Sequence, residues 1–282
     1  MAMSRREKLE TVLRVPRPAL VVMIVVGMVA GIESMGALTP VNFAAAVYLS
    51  VTSCYSIFGI NDYYDRETDR ANDRKGGLQG EVATGGRREM VKYSAIAGTL
   101  LLAASTFFLS GLARYAVIGM TAFSVAYSVP PVKLKGRPPL DSISNGFWVF
   151  TVFAAGIGLA GGSFSSIIPG AYWFSAIIAG AHAVASLPDI EADRKAGIKT
   201  TGMVLGWRPT VSLLLAVILA SLYFVNWSDL TAGYLAGSAL ILSTILLEPD
   251  RQRWYRSMTA FYLFSFIYGV YWITWKAGVA VL

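Results

Sequence analysis

Long apolar runs, separated by short polar stretches, follow one another along almost the whole chain. About nine of them approach the roughly 20 residues that an α-helix needs to cross a bilayer. They fall near residues 17–33, 40–60, 91–112, 115–131, 142–161, 167–187, 210–226, 229–247 and 255–275. The runs are continuous and not alternating, which favours helices over the strands of a membrane barrel. The pattern therefore predicts an all-α, polytopic membrane protein. It forms one domain over residues 1–282, with residues 1–16 as an amphipathic lead-in. Composition agrees: 15% of residues are charged and mean hydropathy is +0.55, where a soluble domain would have about a quarter charged.

Charge sets the expected orientation. With these segments as spans, all of the 24 Lys and Arg except Arg114 and Lys276 fall on one side. By the positive-inside rule that side is cytoplasmic, so the N-terminus lies inside and the C-terminus outside. The net charge of +7 is then mostly topology, with some attraction to anionic lipid, and gives no reason to expect nucleic acid as a partner. No small-residue cleavage site follows the first apolar run, so the basic N-terminus reads as a cytoplasmic lead-in and not as a cleaved signal. The single cysteine, Cys54, and single histidine, His182, exclude an intrachain disulfide and any Cys- or His-rich metal cluster. His182 reads first as a hydrogen-bonded interior residue.

Two acidic groups stand out against this background. The first is Asn61-Asp62-Tyr63-Tyr64-Asp65-Arg66-Glu67-Thr68-Asp69; the second is Asp189-Ile190-Glu191-Ala192-Asp193. Each ends an apolar segment on the expected cytoplasmic side, and each precedes a basic, Gly-containing loop. Carboxylates at the rim of a membrane span are costly to desolvate and mark a site more often than packing. Positions three and four apart share a helix face, so Asn61, Asp62, Asp65 and Asp69 project together. The same spacing is expected to present Asp189 and Asp193 from the sixth helix. Oxygen donors without Cys or His suit a hard cation such as magnesium. Arg70, Arg74, Lys75, Lys133, Lys135, Arg194 and Lys199 are placed to neutralise phosphate oxygens. Glu67, Asp73, Glu81 and Glu89 read as solvated loop charges. The loose echo between the halves puts the expected site where two repeats meet.

Taken in order, Asn61-Asp62-x-x-Asp65-x-x-x-Asp69, the Tyr127…Lys133 loop and Asp189-x-x-x-Asp193, within about nine helices, resemble the UbiA superfamily of intramembrane prenyltransferases. Shorter stretches resemble its lycopene elongase branch. These are Gly59-Ile-Asn-Asp62, Arg74-Lys-Gly-Gly-Leu-Gln-Gly80, Arg137-Pro-Pro-Leu-Asp-Ser142 and Leu187 to Thr200. Arg74-Lys75-Gly76-Gly77 departs from the Arg-Pro-containing segment common in quinone and chlorophyll enzymes. The resemblance implies a UbiA-type bundle with its active site on the cytoplasmic side. It implies Mg2+ ligated by Asn61, Asp62, Asp65, Asp69, Asp189 and Asp193, and it makes these five aspartates catalytic. It implies a prenyl diphosphate, expected to be dimethylallyl diphosphate, held by Asn61, Arg74, Lys75, Tyr127, Lys133 and Lys199. The expected acceptor is lycopene. A quinone precursor, a tetrapyrrole or a glycerol lipid on the same fold is the alternative. A transporter with cation-binding carboxylates is the more distant one.

Overall fold

The structure, a computed structural model, describes residues 4–65 and 85–281, with side chains up to residue 275. Among the described residues every regular element is helical. The helices are α1 (Arg5–Arg14), α2 (Pro18–Glu33), α3 (Pro40–Tyr64), α4 (Gly86–Ser105), α5 (Gly111–Ser128) and α6 (Leu140–Leu159). They continue as α7 (Pro169–Ala185), α8 (Ile190–Lys195), α9 (Thr201–Leu205), α10 (Trp207–Phe224), α11 (Asp229–Ser243) and α12 (Arg251–Val281). Each apolar segment expected from sequence lies on one of the long helices. Among the described residues, six segments are long and apolar enough to cross a membrane by length and composition: Arg5–Glu33, Pro40–Tyr64, Leu140–Leu159, Pro169–Lys195, Trp207–Phe224 and Asp229–Leu247.

Local sequence explains where several helices begin. In α1, Ser4 Oγ accepts from Glu7 N and the Glu7 carboxylate accepts from Ser4 N, a reciprocal capping box. Thr39 caps α3 through its hydroxyl, with Pro40 at the first helical position, where its missing N–H is no loss. Arg17 joins α1 to α2. It sits between Pro16 and Pro18 with φ 52° and ψ 77°, in the left-handed region, and Pro18 opens α2 at its first position.

The chain divides into two compact units. One comprises Met1–Leu134 and Thr151–Ile167 with Val279–Leu282; the other comprises Lys135–Phe150 and Ile168–Gly278. Within the first, α3 packs along α2, α4 and α5. Small residues permit the closest approach. A Cβ on Gly98 would lie 2.4 Å from Tyr55 Cβ, and one on Gly59 would lie 2.8 Å from Ala95 Cβ. Such small-residue contacts let membrane helices gain from dispersion, which lipid otherwise offers equally to any apolar face. Within the second unit, α7, α10 and α11 surround a core that includes Ile177, Leu214, Ile218, Leu235 and Phe261. Large apolar side chains also point outward, among them Leu100, Leu219 and Leu240 at 61–72% exposure for the last two. In water they would be aggregation-prone patches; against lipid they are at home.

Gly98→Leu should force α4 away from α3 and lower stability by about 1–3 kcal/mol, the usual effect of overpacking. A thermal melt in detergent micelles, compared with Gly233→Leu, where nothing lies within 4 Å, would measure it.

Candidate active site

The first acidic group closes α3 inside the first unit. Asn61 and Asp62 occupy its last turn, and Asp65 is its C-cap, returning its N–H to Asn61 O at 2.9 Å. Asn61 Nδ2 donates to Asp65 Oδ2 at 2.9 Å and to Ser128 Oγ at 3.3 Å. The four-residue spacing thus does bring Asn61 and Asp65 side by side, as helix geometry requires. The Ser128 contact ties them to the end of α5, next to half-buried Tyr127. Lys133 follows five residues later, also half-buried, with its N–H on Val129 O at 3.0 Å. Its φ of 40° lies in the left-handed region, which for a residue with a Cβ costs about 1–2 kcal/mol.

Asp62 has different surroundings from its neighbours. It is fully buried, and its Oδ1 accepts from Arg17 Nη2 at 2.8 Å. The Arg17 guanidinium also lies 4.6 Å from the centroid of Phe58, one helical turn earlier. Arg17 therefore holds two successive turns of α3, by charge and by cation–π attraction. Tyr63 is held from α4: Arg88 Nη2 donates to its hydroxyl at 3.0 Å, with the guanidinium 4.9 Å over the ring. Tyr64 is exposed and meets Tyr63 edge-on.

The second acidic group lies in the second unit, and its setting corrects the sequence expectation. Asp189 and Asp193 do not both extend from the sixth long helix. That helix, α7, ends at Ala185; a 3₁₀ turn covers Leu187–Asp189, and α8 restarts at Ile190. Pro188 is the physical cause, since it lacks an N–H and clashes with continuation of the preceding turn. Asp189 and Asp193 are both half-buried. Arg251, at the start of α12, steadies this break: its Nε donates to Pro188 O at 2.6 Å and its Nη1 lies 3.5 Å from Glu191. Lys199 is exposed on the loop that follows.

Asp69, Arg74 and Lys75 lie outside the described residues. Among the described residues no three His, Cys, Asp or Glu side chains gather as a metal cluster. The donors that do stand at the two groups are oxygens: the Asn61 amide with the Asp65 carboxylate, and the carboxylates of Asp189 and Asp193. Such a set fits magnesium, which takes one or two carboxylates and completes its shell with water and phosphate. Sequence reasoning missed Arg17, Ser128 and Arg251 as supports. Arg17 and Arg251 were legible only as cations on the basic side, since nothing local tells a buried partner from a solvated charge.

Comparison with known proteins follows the same line. Residues 20–279 match the UbiA prenyltransferase family. A lycopene elongase/hydratase of Haloferax volcanii is 29% identical over 82% of this chain and 77% of that protein. One from Halobacterium salinarum is 32% identical over 65% of each. The solved structure of a UbiA homologue from Archaeoglobus fulgidus, bound to DMAPP and Mg2+, superposes with a TM-score of 0.61 at 19% identity, covering 92% of this chain and 99% of that one. The chain belongs to the UbiA prenyltransferase family and is a multi-pass membrane enzyme of the prenyltransferase class. The transporter alternative falls with that result.

Removing one partner of a buried ion pair leaves an uncompensated charge, at a loss of about 3–5 kcal/mol. Arg17→Gln should therefore lower the melting temperature clearly. Arg17→Gln combined with Asp62→Asn should recover part of the loss, because both charges of the pair are then removed together. Thermal melts of the three variants measure this; an additive double variant would show that the pair is not coupled.

Proposed function

We propose that this prenyltransferase moves a dimethylallyl group from its diphosphate to the ends of lycopene, as a lycopene elongase of fifty-carbon carotenoid synthesis. The observation that carries the reading is the likeness to the Haloferax volcanii lycopene elongase/hydratase over most of the chain. Two oxygen-only acidic groups, each followed by cations, support it. Magnesium, when bound, neutralises diphosphate charge as the allylic C–O bond breaks. Asn61, Asp62, Asp65 and Asp69, with Asp189 and Asp193, would hold it. The Arg17 contact fixes Asp62 at the end of α3. Lys133 and Lys199, with Arg74 and Lys75, supply positive charge for the diphosphate as it leaves with the bonding electron pair.

The terminal double bond of lycopene then attacks the allylic carbon, forming a C–C bond and leaving a tertiary cation. That cation is quenched by losing a proton or by taking up water. The allylic cation has to meet the alkene before it meets water, which calls for apolar and aromatic surroundings. Tyr127, at the end of α5 and next to the Ser128 that Asn61 contacts, is our candidate for such a face. In this reading the chain is one domain. The N-terminus and both acidic groups are cytoplasmic and the C-terminus is outside, a placement that the charge asymmetry supports.

Expression in a lycopene-accumulating bacterial host, with mass analysis of extracted pigment, tests the proposal. Masses raised by one or two five-carbon units are expected, with or without water. Unchanged lycopene beside folded, inserted protein would point to another acceptor. Asp65→Ala or Asp189→Ala should cut turnover by about a hundredfold or more, the scale of a lost transition-state contact, while the protein still inserts and melts near the parent. Lys133→Ala should raise the donor KM more than the acceptor KM; an unchanged donor KM would remove Lys133 from the site.

A further inference from the structure

A second fully buried carboxylate belongs to neither acidic group. Asp141, in the first turn of α6, is 0% exposed. Its Oδ2 accepts from Thr201 N at 2.8 Å, its Oδ1 accepts from Thr201 Oγ1, and Ser142 Oγ lies 3.4 Å from Oδ2. A buried anion demands such donors, because desolvation without them costs several kcal/mol. Sixty residues separate Asp141 from Thr201, so the contact is tertiary and joins the start of α6 to the start of α9.

Thr201 ends the loop that leaves the second acidic group. Ile198 N donates back to Asp193 O at 2.9 Å and Gly197, with φ +69°, turns the chain. Thr200 caps α9 through its hydroxyl on Met203 N. Gly202, which follows Thr201, is pressed onto the end of α7, where a Cβ would lie 2.6 Å from both Ala183 O and Ser186 Oγ. Lys199 therefore stands on a short stretch tied at both ends: to Asp193 on one side and to Asp141 on the other. A long flexible cation presented in this way loses less conformational freedom when it meets an anion.

We propose that Asp141 is a positioning residue, which clamps Thr201 and so presents exposed Lys199 beside Asp193 to the diphosphate of the donor. The inference rests on the proposed prenyl transfer only for the identity of that anion; the clamp itself is independent of turnover.

Two readouts test it on the full-length protein in detergent or nanodiscs. Limited trypsin digestion compares cleavage after Lys199 with cleavage after Arg253, which lies outside the clamp. Asp141→Ala and Thr201→Val should each speed cleavage after Lys199 about tenfold relative to Arg253, as hydrogen bonds to a charged group are lost. Thr201→Ser, which keeps the hydroxyl, should restore the parent pattern. Thr201→Val also carries the test should Asp141→Ala fail to insert. Kinetically, Thr201→Val should raise the donor KM and leave the acceptor KM alone. Combined with Lys199→Ala, it should add nothing further, as coupled residues behave. Unchanged cleavage after Lys199 would overturn the clamp. Additive effects on the donor KM, or equal rises in both KM values, would overturn its action through Lys199. A parent protein without turnover would count against the proposed function, and the digestion would still decide the clamp.

Discussion

A carboxylate can be kept inside a helical bundle only where fixed donors replace its water, and among the described residues two are held in this way. Asp62 is held by Arg17 and Asp141 by Thr201. In each case the partner comes from a distant part of the sequence, so satisfying one charge also fixes two helices against each other. Neither pair is evidence of net stability, since a buried ion pair or a buried anion often does no better than well-packed apolar groups. What such a pair supplies is a defined geometry, because alternative arrangements leave the charge unmet.

That geometry bears on the chemistry. The more accessible members of the first group, Asn61 and Asp65, sit one residue before and three after the buried Asp62, and so inherit its fixed placement. In the second group Pro188 breaks the helix, and Arg251 and the Thr201 loop hold the broken ends. Broken and capped helix ends are where backbone and side-chain oxygens converge in membrane proteins, and they are tolerated only where protein or water satisfies them.

Much of the fold was legible in the sequence because lipid imposes a single rule, continuous apolar helices, and each expected segment lies largely on a long helix, though the 91–112 segment runs past the end of α4 at Ser105. The pairing of Asn61 with Asp65 was legible for the same reason, since it follows from spacing alone. The break ahead of Asp189 and Asp193 was signalled by Pro188, but the four-residue spacing of the carboxylates read as one continuous helix face and outweighed it. Arg17 and Asp141 were not legible as partners. Their contacts span 45 and 60 residues, and local pattern carries no information about which distant donor will meet a carboxylate. Asp141 lay inside a stretch that resembled the lycopene elongases, yet the resemblance gave it no role.

Calorimetric titration of purified protein with inorganic diphosphate, with and without Mg2+, tests the central claim most directly. Saturable binding that needs magnesium, and that Asp65→Ala and Asp189→Ala each abolish, is the expected result. Equal binding in the presence of a chelator, or binding that survives both substitutions, would contradict a metal–diphosphate site on these carboxylates.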